Sequence, residues 1–454
     1  CWLTPTHTQP HSLLAKSRSM SGVEASVWTS LEPSSSLPDS KPAGRCGHVA
    51  VSSRDGQSLI VIGGYNPEGI LGDAWEFHLE RRDWDRINLA TGPSPPDRAY
   101  FRGCGGPPPI GAERPQHEGG GEGVFAYIFG GSDADGNASD ELWCLDVENR
   151  TWHEVNREQG PQPGARSNHS MCRAGQYLAV HGGESSSGCL LDDLWFFHPA
   201  SASWREADGD VSTPAAGPRP CGRSSHLLAA AQDRSAESSA EGSAGVPGSL
   251  VLFGGLGRAD HDGDGDDGEA GMMPLNDLWV FSPASTGLSA AAAVHEGVCP
   301  SGGEWSLVML DGVGPSPRSL AAVVSPRRSY GGVGGDLFLF GGYGLVEIPT
   351  GGGGMVVDGD DEEEEEGGEI IMAYIDDLWR LSFGKGGGRG GSSSSTWADE
   401  ADMGFPGESI VEGRNGHTLT WCGDKLVLFG GFVGDGFDAG VLVAEPPSSS
   451  CALD

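Results

Sequence analysis

Six arginines recur along this chain, at Arg45, Arg98, Arg166, Arg223, Arg318 and Arg414. A guanidinium is a planar fork that donates two parallel hydrogen bonds, which suits it to carboxylate or phosphate recognition. Four of the six open an Arg-x-x-His motif, with His48, His169, His226 and His417. Imidazoles add metal ligation and proton transfer to what such a set could do. Two acidic tracts, Asp260–Glu269 and Asp358–Glu369, are the other charged feature, and residues 358–369 hold nine carboxylates and no basic residue. A calcium loop within the first tract fails on spacing. Counted from Asp262, the sixth position is Asp267 where the turn needs glycine, and the twelfth is Met273 where a bidentate glutamate is required. Ser132–Asn137 fails the same test. The histidines come one per unit, so sharing an ion would require all four to converge on one axis. The expectation is packed, structural histidines with no metal and no cofactor.

The elements that position these residues repeat. Each arginine precedes an apolar run closed by a glycine pair: Gly63-Gly64, Gly130-Gly131, Gly182-Gly183, Gly254-Gly255, Gly341-Gly342 and Gly430-Gly431. Near-continuous apolarity marks a strand buried on both faces. Five of the runs are followed by an acid two residues before a tryptophan, at Trp75, Trp143, Trp195, Trp279 and Trp379. Apolar residues then alternate, as in Trp75, Phe77 and Leu79, so this strand has one wetter face. A lone tryptophan closes each unit: Trp84, Trp152, Trp204, Trp305 and Trp397. The unit is four antiparallel strands, and such a sheet repeated around an axis is the blade of a β-propeller.

Arg-x-x-His, hydrophobic-Gly-Gly, Asp-Leu-Trp and a trailing tryptophan together resemble the kelch repeat, from about Val27 to Val443. The fold class expected is therefore all-β: a six-bladed kelch-type propeller with four antiparallel strands per blade. The resemblance implies a non-catalytic disc that grips another protein. In that family such discs recruit substrates for ubiquitin ligases or organise cytoskeletal and signalling complexes. The alternative is a small-molecule enzyme on a kelch-like propeller, of the sugar-acid epimerase or metal-dependent oxidase type. Galactose-oxidase relatives hold copper with tyrosines and histidines, and no such Tyr/His/Cys constellation stands out here.

The sixth unit lacks Asp-Leu-Trp and a final tryptophan after its glycine pair. Trp28 and Trp397 each stand seventeen residues before an arginine, Arg45 and Arg414. The strand around Trp28 is thus expected to complete the sixth blade and close the ring; a truncated seventh blade is the alternative. The approximate units are 42–91, 92–160, 161–211, 217–310, 314–402, and 411–445 with 23–32. Residues 1–22 and 446–454 read as unstructured tails. Gly103–Gly123, Gln232–Gly248, Gly257–Met273, Ala284–Gly303, Thr350–Glu369 and Gly384–Ser395 read on composition as disordered insertions.

A net charge of −36 disfavours nucleic acid or anionic membrane as a partner for the whole surface. No apolar run approaches the ~18 residues of a membrane span. Ten cysteines without Cys-x-x-Cys pairs favour a reducing, intracellular and cytoplasmic setting. Strand direction puts the fourth-to-first and second-to-third connections on one face, the top. Six arginines there would ring the channel mouth and receive a protein partner's acidic segment, with the two acidic tracts overhanging and competing. The competing expectation is that each arginine pairs with a repeat carboxylate and ties its blade together. Nothing in the sequence sets an oligomeric state.

Overall fold

The computed structural model describes residues 28–35, 38–111, 124–155, 160–207, 218–231, 249–258, 271–283, 302–309, 312–325, 336–348, 369–383, 395–399 and 411–445. Both expected tails, residues 1–22 and 446–454, lie outside the described residues, as do Gln232–Gly248 and residues 259–270, 284–301, 349–368 and 384–394.

The described chain is strand and turn, with one 3-10 turn at Pro38–Ser40. Six antiparallel blades form. Blade 1 is Val49–Ser52, Ser58–Ile62, Ala74–His78 and Asp83–Arg86, and blade 2 is Arg102–Gly106, Phe125–Phe129, Leu142–Asp146 and Thr151–Glu154. Blade 3 is Ser170–Ala174, Tyr177–Glu184, Leu190–His198 and Ser203–Glu206. Blade 4 is Arg223–Ser224 with Leu227–Ala230, then Leu250–Arg258, Met272–Pro283 and Gly303–Leu307. Blade 5 is Arg318–Ser319 with Ala322–Val324, then Leu337–Ile348, Glu369–Phe383 and Ser395–Ala398. Blade 6 is Thr418–Cys422, Lys425–Phe429 and Val441–Ala444, with Thr29–Ser30 as its outer strand. The innermost strands touch in sequence around the axis, and blade 6 meets blade 1, so the ring is closed.

Closure is by the N-terminal strand. Thr29 pairs with Val443 and Ser30 with Leu442, and Leu31 N–H donates to Val441 O at 2.8 Å. The Trp28 ring packs edge-on against Phe340 of blade 5 at 5.2 Å. That is the place the outer tryptophan takes elsewhere. Trp204 of blade 3 meets Phe129 of blade 2, and Trp397 of blade 5 meets Phe253 of blade 4. Each outer tryptophan thus bridges to the second strand of the preceding blade. The hydrophobic core follows this pattern: it is six clusters, each built from two adjacent blades.

The glycine pairs explain how closely blades approach. Both members have positive φ at every pair, 60–70° for the first and 88–113° for the second. A Cβ on the first would strike the next blade, as Gly430 would strike His48 Cε1 at 2.7 Å. A Cβ on the second would strike its own blade, as Gly431 would strike His417 Cβ at 2.9 Å. No other residue fits both the backbone angle and the space.

Five of the six segments expected as insertions reach into strand, three of them only by the end residues Gly303, Glu369 and Ser395. Gly103–Gly106 belong to the innermost strand of blade 2, glycine-rich because a Cβ on Gly106 would meet the Tyr127 ring at 2.7 Å. The phenol of Tyr127 in turn donates to Pro107 O at 2.6 Å. Gly257 and Met273 pair with each other, so the blade 4 hairpin runs on to Arg258 and Met272. The blade 5 hairpin runs further still, to Ile348 paired with Glu369.

Candidate functional site

The arginines meet the repeat carboxylates of their own blades. Arg45 pairs with Asp73 at 2.6 Å, Arg166 with Asp193 at 2.7 Å, Arg223 with Asp277 at 2.6 Å and Arg414 with Asp438 at 2.6 Å. Arg98 pairs with Glu141 and Arg318 with Asp377 in the same way. The arginine side chains are 0–5% exposed and the carboxylates 18–34%. Each Nη1 also donates to the carbonyl of the first glycine of the pair, and each Nε to the carbonyl two residues before the arginine. The guanidiniums are therefore consumed within the blades. They offer no open fork to an incoming acidic peptide, and their geometry is that of the blade tie.

The tryptophan of the acid-x-Trp mark completes the tie. Its indole N–H donates to the same carboxylate, at 2.6 Å for Trp75 to Asp73 and 2.7 Å for Trp195, Trp279 and Trp379 to theirs. Burial pushes the Asp193 and Asp277 carboxyls up. The hydrogen bonds and charge of Arg166 and Arg223, with the indole donors, more than reverse it, so both lie below the ordinary range. Asp438 was not among the expected marks, because Gly440 stands where the tryptophan would be. The signal available was an acid soon after the glycine pair.

The histidines sit at blade junctions. His48 Nε2 lies 2.9 Å from Thr418 Oγ1 of blade 6, His417 Nε2 donates to Phe340 O of blade 5 at 3.1 Å, and His226 Nε2 lies 3.0 Å from His181 Nδ1 of blade 3. His169 packs edge-on against Phe129 of blade 2. Burial drives all of these pKa values down, to about 3 for His181 and His417, so the rings are neutral. They work one per junction rather than converging on the axis, and among the described residues no group of three or more potential ligands forms a metal site.

Two residues after the arginine lies a residue in the left-handed region in all six blades: Gly47, Tyr100, Asn168, Ser225, Leu320 and Gly416, with φ of 51–63°. Their backbones form a hoop around the channel mouth. Gly47 N–H donates to Gly416 O at 2.8 Å, Gly416 to Leu320 and Leu320 to Ser225 at 3.0 Å, Ser225 to Asn168 at 2.7 Å and Asn168 to Tyr100 at 3.0 Å. Below the hoop the innermost strands line a channel of about 680 Å³. Arg102 lines it, half-buried, and donates to Phe101 O at 3.3 Å.

The feature that the sequence reading missed lies on the top face. The residue after the glycine pair is aromatic in three adjacent blades: Tyr343, Phe432 and Tyr65. With Tyr374, Phe437 and Tyr100 they form an unbroken arc over blades 5, 6, 1 and 2. Ring centroids lie 5.0 Å apart for Tyr343–Tyr374, 5.6 Å for Tyr374–Phe432, 5.1 Å for Phe432–Phe437, 5.9 Å for Phe437–Tyr65 and 4.9 Å for Tyr65–Tyr100. All six rings are partly exposed.

Residues 113–236 match the KLHDC2/KLHL20/DRC7 Kelch-repeats domain family. This chain is a kelch-repeat propeller protein. An F-box/kelch-repeat protein of Arabidopsis thaliana is 28% identical over 36% of this chain and 33% of its own length. Acyl-CoA-binding domain-containing protein 5 of the same plant is 36% identical over 21% of this chain and 15% of its own. The Rab9 effector protein with kelch motifs of Danio rerio is 23% identical over 41% of this chain and 52% of its own. The kelch chain thus spans a third or less of the first two relatives and about half of the third.

Proposed function

We propose that this kelch propeller is a non-catalytic protein-interaction scaffold or adaptor that works through its top face, inside the cell and in the cytoplasm. The aromatic arc is the observation that carries the proposal. Partly exposed tyrosines and phenylalanines on a rigid frame are the groups that anchor protein interfaces, because they bury large area at small entropic cost. The frame is rigid where the arc stands: the hoop, the arginine ties and the glycine pairs all lie beneath it. Relatives named as an F-box/kelch-repeat protein and as a Rab9 effector accord with a scaffold role. An acidic segment bound by the six arginines is the weaker form of the proposal, since each guanidinium already holds a carboxylate.

The test is capture from native lysate with the full chain, a top-face variant (Tyr374→Ser with Phe437→Ser) and a bottom-face variant (Arg81→Glu with Arg150→Glu). A specific partner lost only by the top-face variant supports the proposal. Loss only by the bottom-face variant overturns the assignment of the face. A stoichiometric bound metal, or turnover of a sugar, would put the epimerase or oxidase alternative ahead.

A further inference from the structure

We infer that the aromatic arc docks an extended peptide segment rich in lysine or arginine; this rests on the top-face reading and specifies the partner's chemistry.

Charge is distributed unequally between the faces. Among the described residues, the six connections running from glycine pair to repeat carboxylate hold sixteen acidic residues and one basic residue, Arg258. The described first-to-second and third-to-fourth turns of the opposite face hold five acidic and four basic residues. Among the described residues the surplus of negative charge therefore belongs to the top.

The same asymmetry holds at the arc itself. Asp435 lies between Phe432 and Phe437 and is exposed, as is Glu68, three residues after Tyr65. Asp377, Asp438, Asp73 and Glu141 keep 18–34% of their side chains exposed, while the arginines that pair with them are sealed beneath at 0–5%. Each tie consequently shows its carboxylate, not its guanidinium, to an approaching chain. A cationic side chain lying on the arc meets the negative faces of aromatic rings and a nearby carboxylate together, the arrangement that favours ammonium and guanidinium groups most.

The channel sets the path. Arg102 stands in its wall with Arg54 and Arg173, and no carboxylate is among the described residues that line it. A basic segment is repelled from the channel and lies across blades 5, 6, 1 and 2 instead. Five centroid steps of 4.9–5.9 Å give the arc a length matched by roughly eight extended residues at ~3.3 Å each.

The experiment is selection from a displayed library of random twelve-residue peptides against the full chain, with affinities then measured at low and moderate salt. Enriched peptides are expected to carry two or more Lys/Arg. They should bind about tenfold more weakly to the Tyr65→Ser/Tyr374→Ser variant and roughly three- to tenfold more weakly to Glu68→Lys/Asp435→Lys, which alters only exposed side chains and leaves the fold intact. Affinity should fall as salt rises. Acidic or neutral peptides that compete for the arc would overturn the basic partner while leaving the top-face reading standing. Peptides indifferent to both variants, or no enrichment at all, would overturn the two together.

Discussion

Gly440 donates its backbone N–H to the Asp438 carboxylate at 2.8 Å, in the place that the indole N–H of Trp75 holds against Asp73. Blade 6 thus keeps the tie although it lost the tryptophan. Asp438→Ala should therefore destabilise the propeller about as much as Asp73→Ala, by about 2–4 kcal/mol, the lower end reflecting partial exposure of both carboxylates. Urea midpoints of the two variants check this. A neutral Asp438→Ala would mean that blade 6 is held by something else.

Removing one member of a tie should cost more than removing both. Arg223→Met leaves the Gly254 carbonyl without the Arg223 donor and Asp277 with the Trp279 indole but no guanidinium, and is expected to cost about 3 kcal/mol. Adding Asp277→Leu removes the stranded charge, so the double variant should recover part of that loss. Thermal unfolding of the single and double variants reads the difference.

The strand around Trp28 is the latch of the ring. Trp28→Ala removes the contact with Phe340 and a buried indole from the junction of blades 5 and 6. Its cost should be about 3–5 kcal/mol, in line with other large-to-small core changes. Proteolysis should then cut blade 6 first, between Lys425 and Ala444.

Five buried histidines make stability depend on mild acid. His181 and His417 have folded pKa values of about 3, and those of His48, His169 and His226 are also depressed by burial. In the unfolded chain they titrate near ~6.5. The unfolded state thus binds more protons below that pH, so the contribution is fully present above about pH 6.5 and is lost as pH falls. Each ring adds a slope approaching about 1.4 kcal/mol per pH unit. The paired carboxylates Asp73, Asp193 and Asp277, held below their ordinary range, add to the loss only once pH approaches their unfolded value near ~4. Denaturant midpoints should be flat from pH 8 to 7 and drop steeply between 6 and 5. A flat profile down to pH 5 would contradict the buried, neutral assignment.

The frame was legible because its marks are covalently local. Glycine pairs, acid-x-Trp and trailing tryptophans each do their work within a blade or across one junction, at a spacing the sequence displays. Even the latch could be placed, since Trp28 keeps the distance to Arg45 that Trp397 keeps to Arg414. The candidate site was read less well. Repetition drew attention to six arginines, but repetition marks what every blade needs, and every blade needs its tie. The arc is made of residues that differ between blades. Tyr65, Tyr343 and Phe432 share a position that is Ser132, Glu184 and Leu256 in the others. Tyr374, Phe437 and Tyr100 join them only through the closed ring, which brings residue 437 beside residue 65. The strand identity of Gly103–Gly106 was hidden for a related reason: a glycine run reads as a loop unless the Tyr127 ring that occupies its side-chain space is known.

The most direct test of the top-face account is hydrogen exchange on the full chain with and without a bound partner or selected peptide. Protection is predicted in residues 63–73, 371–377 and 430–440, where the arc and its carboxylates stand, with residues 79–82 and 147–150 of the opposite face unchanged. Protection confined to those opposite turns, or to the innermost strands lining the channel, would contradict it.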